Sequence, residues 1–450
     1  MKIQVPKPLL TLSQDTQSPI YITGGYIRNF IAGISQPTDI DLCGPQLALA
    51  LMLPPSYMVR MVNHRLGTSI VKRGFNEWEY TPFRTENYPP DGSHTPLNVS
   101  FTTDLRLDAK RRDFCMNAIY YDIKGDKVID PHGGIQDIKN KVIRAIDTEL
   151  TFSQDGLRLM RLVRFAAETG FKIDGATAKS AMENAHLLND ISPERKRDEL
   201  EKILHADQKY GVKDAHYRGL KLLHKLGLLK YVIPMLCEAE GIEQNSQYHK
   251  FDVLEHIFQC VKFAPPEIRI AALMHDIGKI TTHKDAGNFH RHEVESEKLV
   301  SKILGFDGLR FPKKVIVETK KLCRNHMYDL MQNTSMSKMR LFIAKNWDII
   351  DKLILLVEAD GKAAGMERVA REKRFIEIKQ QMTEDKCPIT IRDLKIDGSL
   401  LVDIGFFGVE VGELLNDMLE KAIIDPKLNC GEWLRNYAQK SFDKKQSSKS

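Results

Sequence analysis

Two short segments near the start of the chain combine residues that could bind a phosphate with residues that could bind a metal. Gly24 and Gly25 lie shortly before Arg28, and Asp39 and Asp41 follow in the sequence Asp-Ile-Asp. Adjacent glycines let a backbone approach a phosphate closely, because no Cβ stands in the way. On a strand, residues i and i+2 share a face, so the two carboxylates could hold Mg²⁺. A solvated carboxylate pair at a loop end is the alternative, but the upstream glycines favour nucleotidyl transfer.

A basic segment further along could bind the rest of a nucleotide. Arg111 and Arg112 precede Asp113, and arginines can bind phosphate oxygens in a bidentate manner. Asp113 could accept a hydrogen bond from a ribose hydroxyl. A solvated charge cluster is the alternative interpretation of this segment.

Charged residues also recur at every third position of one predicted helix. They are Asp155, Arg158, Arg161 and Arg164. Residues three apart are neighbours on a helix surface, so the arginines would repel one another unless an anion lay among them. An aspartate beside an arginine offers an acceptor and a donor, which can complement the edge of a nucleobase. The alternative is an exposed basic helix.

A second group of residues, later in the chain, has the types and order of a metal site. Its main members follow the pattern H…HD…D, which resembles that of HD-domain proteins: His256, His275, Asp276 and Asp360. Imidazole and carboxylate ligands together suit a divalent transition metal. His292 and His326 match the extra ligands of two-metal versions. A lone histidine is usually structural, but this ordered set predicts an HD fold with bound metal.

Composition restricts the class of protein. The chain has 450 residues, of which 42% are hydrophobic and 28% charged, as in a globular protein of several domains rather than a disordered one. A net charge of +6 permits a polyanionic partner. The seven cysteines include no C-x-x-C pair, which argues against a cysteine zinc site or a disulfide framework and fits a reducing compartment. With no long apolar run, we expect a cytoplasmic protein without a membrane partner.

The elements that must position these residues change in type along the chain. Alternating patterns predict strands near residues 20–22, 38–42, 67–71 and 78–83 and a hairpin over 118–129. From Ser153 onward the apolar period becomes helical. The predicted divisions are a head (1–147), a neck (148–207), a body (208–243), an HD domain (244–365), a C-terminal helical region (366–440) and a disordered tail (441–450).

Together these segments resemble the class II tRNA nucleotidyltransferases and bacterial poly(A) polymerases, over nearly the whole chain and in the same order. The resemblance also rests on four further segments: Tyr80-Thr81-Pro82-Phe83-Arg84, Phe114-x-x-Asn117-Ala118, Gly133-Gly134-x-x-Asp137 and Ser192-x-Glu194-Arg195. It implies an α+β fold. A small mixed, polymerase β-like sheet would form the head, and an all-helical neck, an HD domain and a helical C-terminal body would follow it.

The resemblance also implies an activity and a role for each residue. The enzyme would add or repair the 3′-terminal CCA of tRNA from CTP and ATP without a template, acting on the acceptor arm and not on DNA. Asp39 and Asp41 would be catalytic and hold two Mg²⁺ ions. Phosphates and sugar would be bound by Gly24, Gly25, Arg28, Arg112, Asp113 and Asn117. The base would be read by Asp155 and Arg158, with support from Arg161 and Arg164.

Several departures from the family pattern bear on selectivity. Asn29 stands where an aspartate is usual, and Gln154 stands where a glutamate is usual. Residues 86–94 resemble the flexible loop that switches addition from cytosine to adenine, and Glu79 is a candidate third carboxylate.

Other activities stay open at this point. Addition of poly(A), or of only A or only CC, is one alternative. An HD phosphohydrolase whose head merely positions RNA is another. The HD site itself would hydrolyse phosphate esters such as 2′,3′-cyclic phosphates.

Overall fold

The structure, a computed structural model, describes residues 3–34, 40–89, 96–247, 249–365 and 370–447. The chain forms two compact units. The first comprises residues 1–238 with 302–311, and the second comprises residues 239–301 with 312–450. The predicted head and neck therefore lie together in the first unit, and the predicted limits at 147 and 207 stay predictions.

A mixed β-sheet forms the centre of the head. The strands, in chain order, are β1 (Tyr21–Thr23), β2 (Asp41–Gly44), β3 (Met58–Asn63), β4 (Thr68–Arg73), β5 (Asn76–Pro82), β6 (Arg84–Asn87), β7 (Asn98–Phe101), β8 (Tyr120–Asp122), β9 (Lys127–Ile129), β10 (Val142–Ile143) and β11 (Lys172–Ile173). In the described part of the chain, seven of them join in the order β3-β4-β5-β2-β1-β8-β9. Only β2 and β5 pair in parallel within this sheet. The mixed sheet and the β8–β9 hairpin confirm the predicted α+β head.

Helices make up most of the rest of the first unit. They are α1 (Lys7–Asp15), α2 (Gly25–Ala32), α3 (Leu105–Lys110), α4 (Gly134–Lys139), α5 (Leu150–Gln154), α6 (Leu157–Thr169), α7 (Gly175–Glu183), α8 (Pro193–Leu204), α9 (Ala206–Tyr210), α10 (Ala215–Lys225), α11 (Leu229–Val232) and α12 (Pro234–Cys237). The predicted helical face of α6 is buried, including Met160, Leu162 and Val163. Asp155, however, is extended and stands between α5 and α6. Its carboxylate accepts a hydrogen bond from the backbone N–H of Leu157 at 3.0 Å, so the predicted single helix is two helices.

The remaining helices follow residue 252. They are α13 (Val253–Phe263), α14 (Arg269–Met274), α15 (Gly278–Ala286), α16 (His292–Leu304), α17 (Lys313–Asn325), α18 (Met336–Lys345), α19 (Ile350–Ala363), α20 (Arg371–Glu384), α21 (Gly398–Ile404), α22 (Val409–Ile424) and α23 (Gly431–Ser447). Short 3₁₀ helices lie at Ala48–Leu51, Cys115–Asn117, Ala185–Asp190, Pro266–Ile268, Ile391–Asp393 and Pro426–Leu428. None of the helices in the described ranges has the length and apolar character needed to cross a membrane.

The predicted disordered tail over residues 441–450 is wrong as far as Ser447. α23 runs to Ser447, with Leu434 and Ala438 buried. Phe442 packs on the same apolar cluster, and Lys445 Nζ lies 2.6 Å from Glu410 Oε1. The polar composition of this segment therefore reflects the exposed last turns of a packed helix. Residues 448–450 lie outside the described residues.

Candidate active site and metal centre

The glycine pair and Asp41 meet where β1 ends. Thr23 of β1 lies opposite Asp41 of β2, and Gly24 comes next along the chain. Gly24 has a φ of 72°, which L side chains rarely adopt, and a Cβ there would lie 3.2 Å from Oδ2 of Asp41. Glycine is therefore needed both for the turn and for the close approach. Asp39, the other predicted metal ligand, lies outside the described residues.

Glu79, the candidate third carboxylate, lies on the neighbouring strand. In the parallel pair β2–β5, Tyr80 is opposite Leu42. Glu79 and Asp41 precede these two residues, so their side chains share the other face of the sheet. Both residues are exposed. A metal-binding role for Glu79 stays a prediction.

One open cleft in the first unit, with a volume of about 540 Å³, gathers the predicted nucleotide-binding residues. It is lined by Gly24, Gly25, Arg28, Asp41, Arg112, Asp113, Asn117, Asp155, Arg158, Arg161 and Arg164. The lining also includes residues that the sequence analysis did not assign to the site: Tyr88, Phe165, Glu168, Lys209 and Tyr210. Lys209 and Tyr210 belong to none of the motifs in the sequence, so the sequence did not predict their place in the cleft.

Arg28 is held from several sides at the floor of this cleft. Its side chain is buried and donates to Oδ1 of Asn117 at 2.7 Å, to Oδ1 of Asn29 at 3.1 Å and to the hydroxyl of Tyr210 at 2.7 Å. The guanidinium also lies 5.1 Å from the centre of the Phe165 ring. The phosphate-binding candidate is thus fixed in place before any ligand arrives.

The arginines of α6 are paired with carboxylates of the protein itself. Arg161 donates from Nε and Nη2 to Oδ2 of Asp113 at 2.9 and 2.6 Å. Arg164 donates to Glu199 at 2.7 Å and to Glu168 at 3.2 Å. The repulsion expected among these arginines is therefore relieved within the fold, so the cleft is polar and ordered rather than an unbalanced basic surface.

Asp113 is an anion at the centre of this arrangement. Its Oδ1 accepts from Asn117 Nδ2 at 3.0 Å and from the N–H of Phe114 at 2.8 Å. Burial would raise its pKa, but Arg161 and the hydrogen bond from Asn117 outweigh burial and hold the pKa of Asp113 well below its usual range. The predicted contact of Asp113 with a ribose stays a prediction.

The predicted base-reading pair stands at one wall of the cleft. Arg158 donates to the carbonyl oxygens of Thr151 at 3.1 Å and Arg111 at 2.6 Å, which fixes its guanidinium. The ring of Tyr88 lies 5.9 Å from this guanidinium. Asp155, just before α6, lines the same cleft. The carboxylate of Asp155, an acceptor, and the guanidinium of Arg158, a donor, thus line the same cleft.

Arg112 is largely engaged with the sheet. Its Nε lies 2.8 Å from the hydroxyl of Tyr120 and its Nη2 3.2 Å from Oδ2 of Asp108. Asp108 also accepts from Tyr120 and from Arg111. Burial would raise the pKa of Asp108, but Arg112 and Arg111 lower it to about 2. A contact between Arg112 and a triphosphate stays a prediction.

The second unit brings together all six residues predicted for the HD site. They form two groups that share Asp276: His256, His275, Asp276 and Asp360, and Asp276, His292 and His326. All are buried. Oδ2 of Asp276 lies 3.1 Å from Nε2 of His256 and 3.2 Å from Nε2 of His275. Oδ1 of Asp276 lies 3.0 Å from Nε2 of His292 and 3.4 Å from Nε2 of His326, so one carboxylate faces both groups.

The histidine tautomers suit metal binding. In three of the histidines, Nδ1 lies close to a backbone carbonyl oxygen. The distances are 2.8 Å from His275 to Ala272, 2.8 Å from His292 to Phe289 and 2.6 Å from His326 to Cys323. A carbonyl only accepts, so each Nδ1 carries a proton, and Nε2 is the ring nitrogen that faces Asp276 and could bind a metal. Nε2 of His292 and Nε2 of His326 are 3.3 Å apart. A divalent cation between them fits this donor set.

Charge around Asp276 keeps it ionised. Burial would raise its pKa, but His275, Lys279 and His292 outweigh burial and hold the pKa of Asp276 well below its usual range. Lys279 Nζ lies 2.7 Å from Oδ2 of Asp276 and 2.7 Å from Oε1 of Gln244. Burial lowers the pKa of His326 to about 4, so this imidazole is neutral at pH 7 and available as a ligand.

Family models match three successive parts of the chain. They describe a poly A polymerase head domain (residues 20–144), a probable RNA- and SrmB-binding site of polymerase A (170–240) and an HD domain (248–353). These matches include the cleft residues on the sheet side, but not Asp155 or α6, and five of the six ligands of the metal centre, all but Asp360.

Individual proteins are similar to the chain over different lengths. A CCA-adding enzyme of Geobacillus sp. (strain WCH70) is 36% identical over 237 residues, 52% of this chain and 55% of that protein. A CC-adding tRNA nucleotidyltransferase of Thermus thermophilus is 29% identical over 426 residues, 90% of each chain. The solved Bacillus stearothermophilus CCA-adding enzyme in complex with CTP superposes with a TM-score of 0.66 at 22% identity, covering 98% of both chains. At that identity, the superposition shows the fold.

The mixed-sheet head, its cleft and the helical region with an HD centre define a nucleotidyltransferase of the poly A polymerase type that is linked to an HD domain. The chain thus matches a poly A polymerase head domain, an RNA- and SrmB-binding region of polymerase A and an HD domain, in that order.

Proposed function

We propose that the cleft transfers nucleotides from CTP and ATP to the 3′ end of tRNA, so that the protein adds or repairs the terminal CCA. The observation that carries this proposal is the convergence in one cleft of the glycine turn, Asp41 and every predicted nucleotide-binding residue. The three matched family models, and relatives named as CCA-adding and CC-adding enzymes, support it.

Asp41 and Asp39 would hold Mg²⁺, which when bound activates the RNA 3′-hydroxyl and neutralises the triphosphate. The adjacent Gly24 brings backbone close to this position, and Arg28 is fixed beside it. Arg28 is thereby ready to bind phosphate oxygens through its remaining N–H groups.

Base selection would follow from the chemistry of Asp155 and Arg158. Cytosine and adenine each present an amino group beside an unprotonated ring nitrogen. A carboxylate can accept from the amino group while a guanidinium donates to the ring nitrogen. Uracil and guanine present the reverse order of donor and acceptor, so the same pair rejects them.

We also propose a second activity at the HD centre: hydrolysis of a phosphate monoester or diester, with 2′,3′-cyclic phosphates and 2′-nucleotides as the candidate substrates. Divalent metals held by the six ligands would supply Lewis acidity there. The shared Asp276 and the fixed tautomers support a pair of metal ions. The cytoplasm is the proposed compartment, and the seven free cysteines fit it.

The double variant Asp39→Ala/Asp41→Ala separates the two activities. We expect it to lose incorporation of CTP and ATP into a tRNA transcript that lacks CCA, and to keep any hydrolysis of 2′,3′-cyclic AMP. Survival of incorporation in this variant would show that the metal-binding assignment is wrong. A wild-type protein that hydrolyses the ester but never incorporates a nucleotide would leave only the HD activity.

A further inference from the structure

The hydroxyl of Tyr210 holds a position that the mechanism above does not use. Tyr210 is the last residue of α9 and lines the cleft beside Lys209. Its oxygen lies 2.7 Å from Nη2 of Arg28 and 3.1 Å from Nδ2 of Asn29. Arg28 is 182 residues away in the sequence, so this contact ties the end of α9 to the phosphate-binding turn.

The direction of each hydrogen bond follows from the donors. A guanidinium only donates, so Tyr210 accepts from Arg28. Nε of Arg28 also donates to Oδ1 of Asn29 at 3.1 Å, which fixes the amide and turns its Nδ2 donor toward Tyr210. The phenolic oxygen therefore accepts two hydrogen bonds, and its own proton must point away from both donors.

That proton has no acceptor within the ranges of the chain that the structure describes. Tyr210 is partly exposed on the cleft wall, and Arg28, Lys209 and Arg195 line the same region. A hydroxyl donor among three cationic side chains suits an anionic oxygen. We propose that the Tyr210 hydroxyl donates a hydrogen bond to the triphosphate of the incoming nucleotide, and that Asn29 sets the direction of this hydrogen bond. This inference rests on the proposed nucleotide transfer.

Asn29 gives the inference a specific consequence. An aspartate at this position would accept a hydrogen bond from the Tyr210 hydroxyl and so turn its O–H away from the cleft. Asn29→Asp should therefore have the same effect as Tyr210→Phe, although it leaves the phenol in place. The change would also restore the residue that the family pattern usually carries, so a loss of affinity would be opposite to the expectation from resemblance.

The test uses the full chain with Tyr210→Phe, Asn29→Asp and the double variant. The control is Tyr57→Phe, because the hydroxyl of Tyr57 likewise accepts from an arginine, Arg73, at 2.9 Å but lies outside the cleft. Calorimetry with inorganic triphosphate and Mg²⁺ measures phosphate binding without turnover. Steady-state kinetics give KM separately for CTP and for tRNA.

We expect Tyr210→Phe and Asn29→Asp each to raise the Kd for triphosphate and the KM for CTP about tenfold. The value of kcat and the KM for tRNA should stay within about twofold, and the double variant should be no weaker than either single variant. Tyr57→Phe should match the wild type. If Tyr210→Phe does not fold, Asn29→Asp carries the test, because it keeps the phenol.

Other results would overturn the inference. A rise in the KM for tRNA alone would place the contact on an RNA backbone phosphate, which presents the same kind of oxygen. An unchanged Kd for triphosphate in Tyr210→Phe would show that the hydroxyl does not contact the triphosphate. Wild-type values of this Kd and of the KM for CTP in Asn29→Asp would show that Asn29 does not direct the hydroxyl. A wild-type protein that binds triphosphate but transfers no nucleotide would contradict the proposed function and leave this binding test valid.

Discussion

At the scale of single residues, the cleft depends on pairs whose members come from distant parts of the chain. The sequence predicted that Arg161 and Arg164 are neighbours on the surface of one helix, and both line the cleft. Asp113, the partner of Arg161, lies between α3 and the 3₁₀ helix at Cys115–Asn117, and Glu199, one partner of Arg164, lies on α8. No local pattern connects either carboxylate to its arginine. The site residues could be predicted because their motifs are local in the sequence. The pairing of these two arginines with Asp113 and Glu199 could not be predicted, because it depends on tertiary packing.

Asp155 tests the proposed selection of the base. In Asp155→Asn, an amide donor can face the carbonyl O4 of uracil, and the charge that favours an amino group is lost. We expect kcat/KM for CTP to fall about tenfold or more and the ratio of UTP to CTP incorporation to rise. Steady-state incorporation with each nucleotide measures both. Asp190→Asn, at an exposed position outside the cleft, serves as the control, and an unchanged ratio in Asp155→Asn would contradict the assignment.

Asp108 should make the stability of the first unit depend on pH. Its pKa in the folded protein is about 2, below the ordinary value of 3.8 for an aspartate. The ionised form therefore contributes stability above about pH 4, and this contribution is lost as the pH falls toward 2. A shift of this size corresponds to about 2 kcal/mol. In urea unfolding followed by Trp78 fluorescence, with Trp347 and Trp433 replaced by Phe, Asp108→Asn should cost about that much at pH 7.

The same measurement should show a smaller cost at lower pH, because the wild type then loses the contribution as well. Equal costs for Asp108→Asn at pH 7 and near pH 3 would contradict the ionised, paired state of Asp108. Asp126→Asn, in the turn between β8 and β9, changes an exposed carboxylate and serves for comparison.

At the scale of elements, the strands followed their alternating patterns more closely than the helices followed theirs. The predicted strands near residues 67–71 and 78–83 are observed as β4 and β5. Asp155 interrupts the predicted neck helix, since its carboxylate bonds to the backbone two residues on. α23 extends into the predicted tail as far as Ser447, where Phe442 packs on the apolar cluster. The start of α6 depends on the hydrogen bond of Asp155, and the end of α23 depends on packing. The periodicity of apolar residues does not reveal either interaction.

Gly278 tests how the elements of the HD centre are positioned. A Cβ on Gly278 would lie 2.1 Å from the carbonyl oxygen of His292 and 2.5 Å from the backbone nitrogen of Ser296. Gly278→Ala must therefore displace α16, which carries the ligand His292. We expect the variant to retain less than half of the bound divalent metal in elemental analysis while nucleotide incorporation persists.

The matched control for this variant is Gly412→Ala within α22. A Cβ there meets no atom within 4 Å, and alanine favours a helix over glycine by about 1 kcal/mol. Gly412→Ala should keep the metal content of the wild type. Full metal content in Gly278→Ala would contradict the account of how α16 is held.

At the scale of the whole molecule, the two proposed chemistries lie in different compact units. The cleft belongs to the first unit, and the HD ligands belong to the second. The resemblance predicted the order of head, neck and HD domain. It did not predict that residues 302–311 pack with the first unit, because that assignment depends on contacts between distant segments.

This separation predicts independent loss of function. Asp276→Ala removes the carboxylate that faces both groups of HD ligands, so metal content and any hydrolysis of 2′,3′-cyclic phosphate should fall to background. Incorporation of CTP into tRNA should remain within about twofold of the wild type, since no HD ligand lines the cleft. Loss of incorporation in a variant that remains folded by circular dichroism would show that the two centres act together.

The most direct measurement uses one tRNA transcript that lacks its 3′ CCA and a second that ends in CC. Each is incubated with the full chain, Mg²⁺ and CTP, ATP or both, and the products are sized at single-nucleotide resolution. We predict addition of two cytidines and one adenosine to the first transcript, addition of one adenosine to the second, and then termination. Long A tracts, a product that ends at CC with both nucleotides present, or adenosine added only to the second transcript would contradict CCA addition.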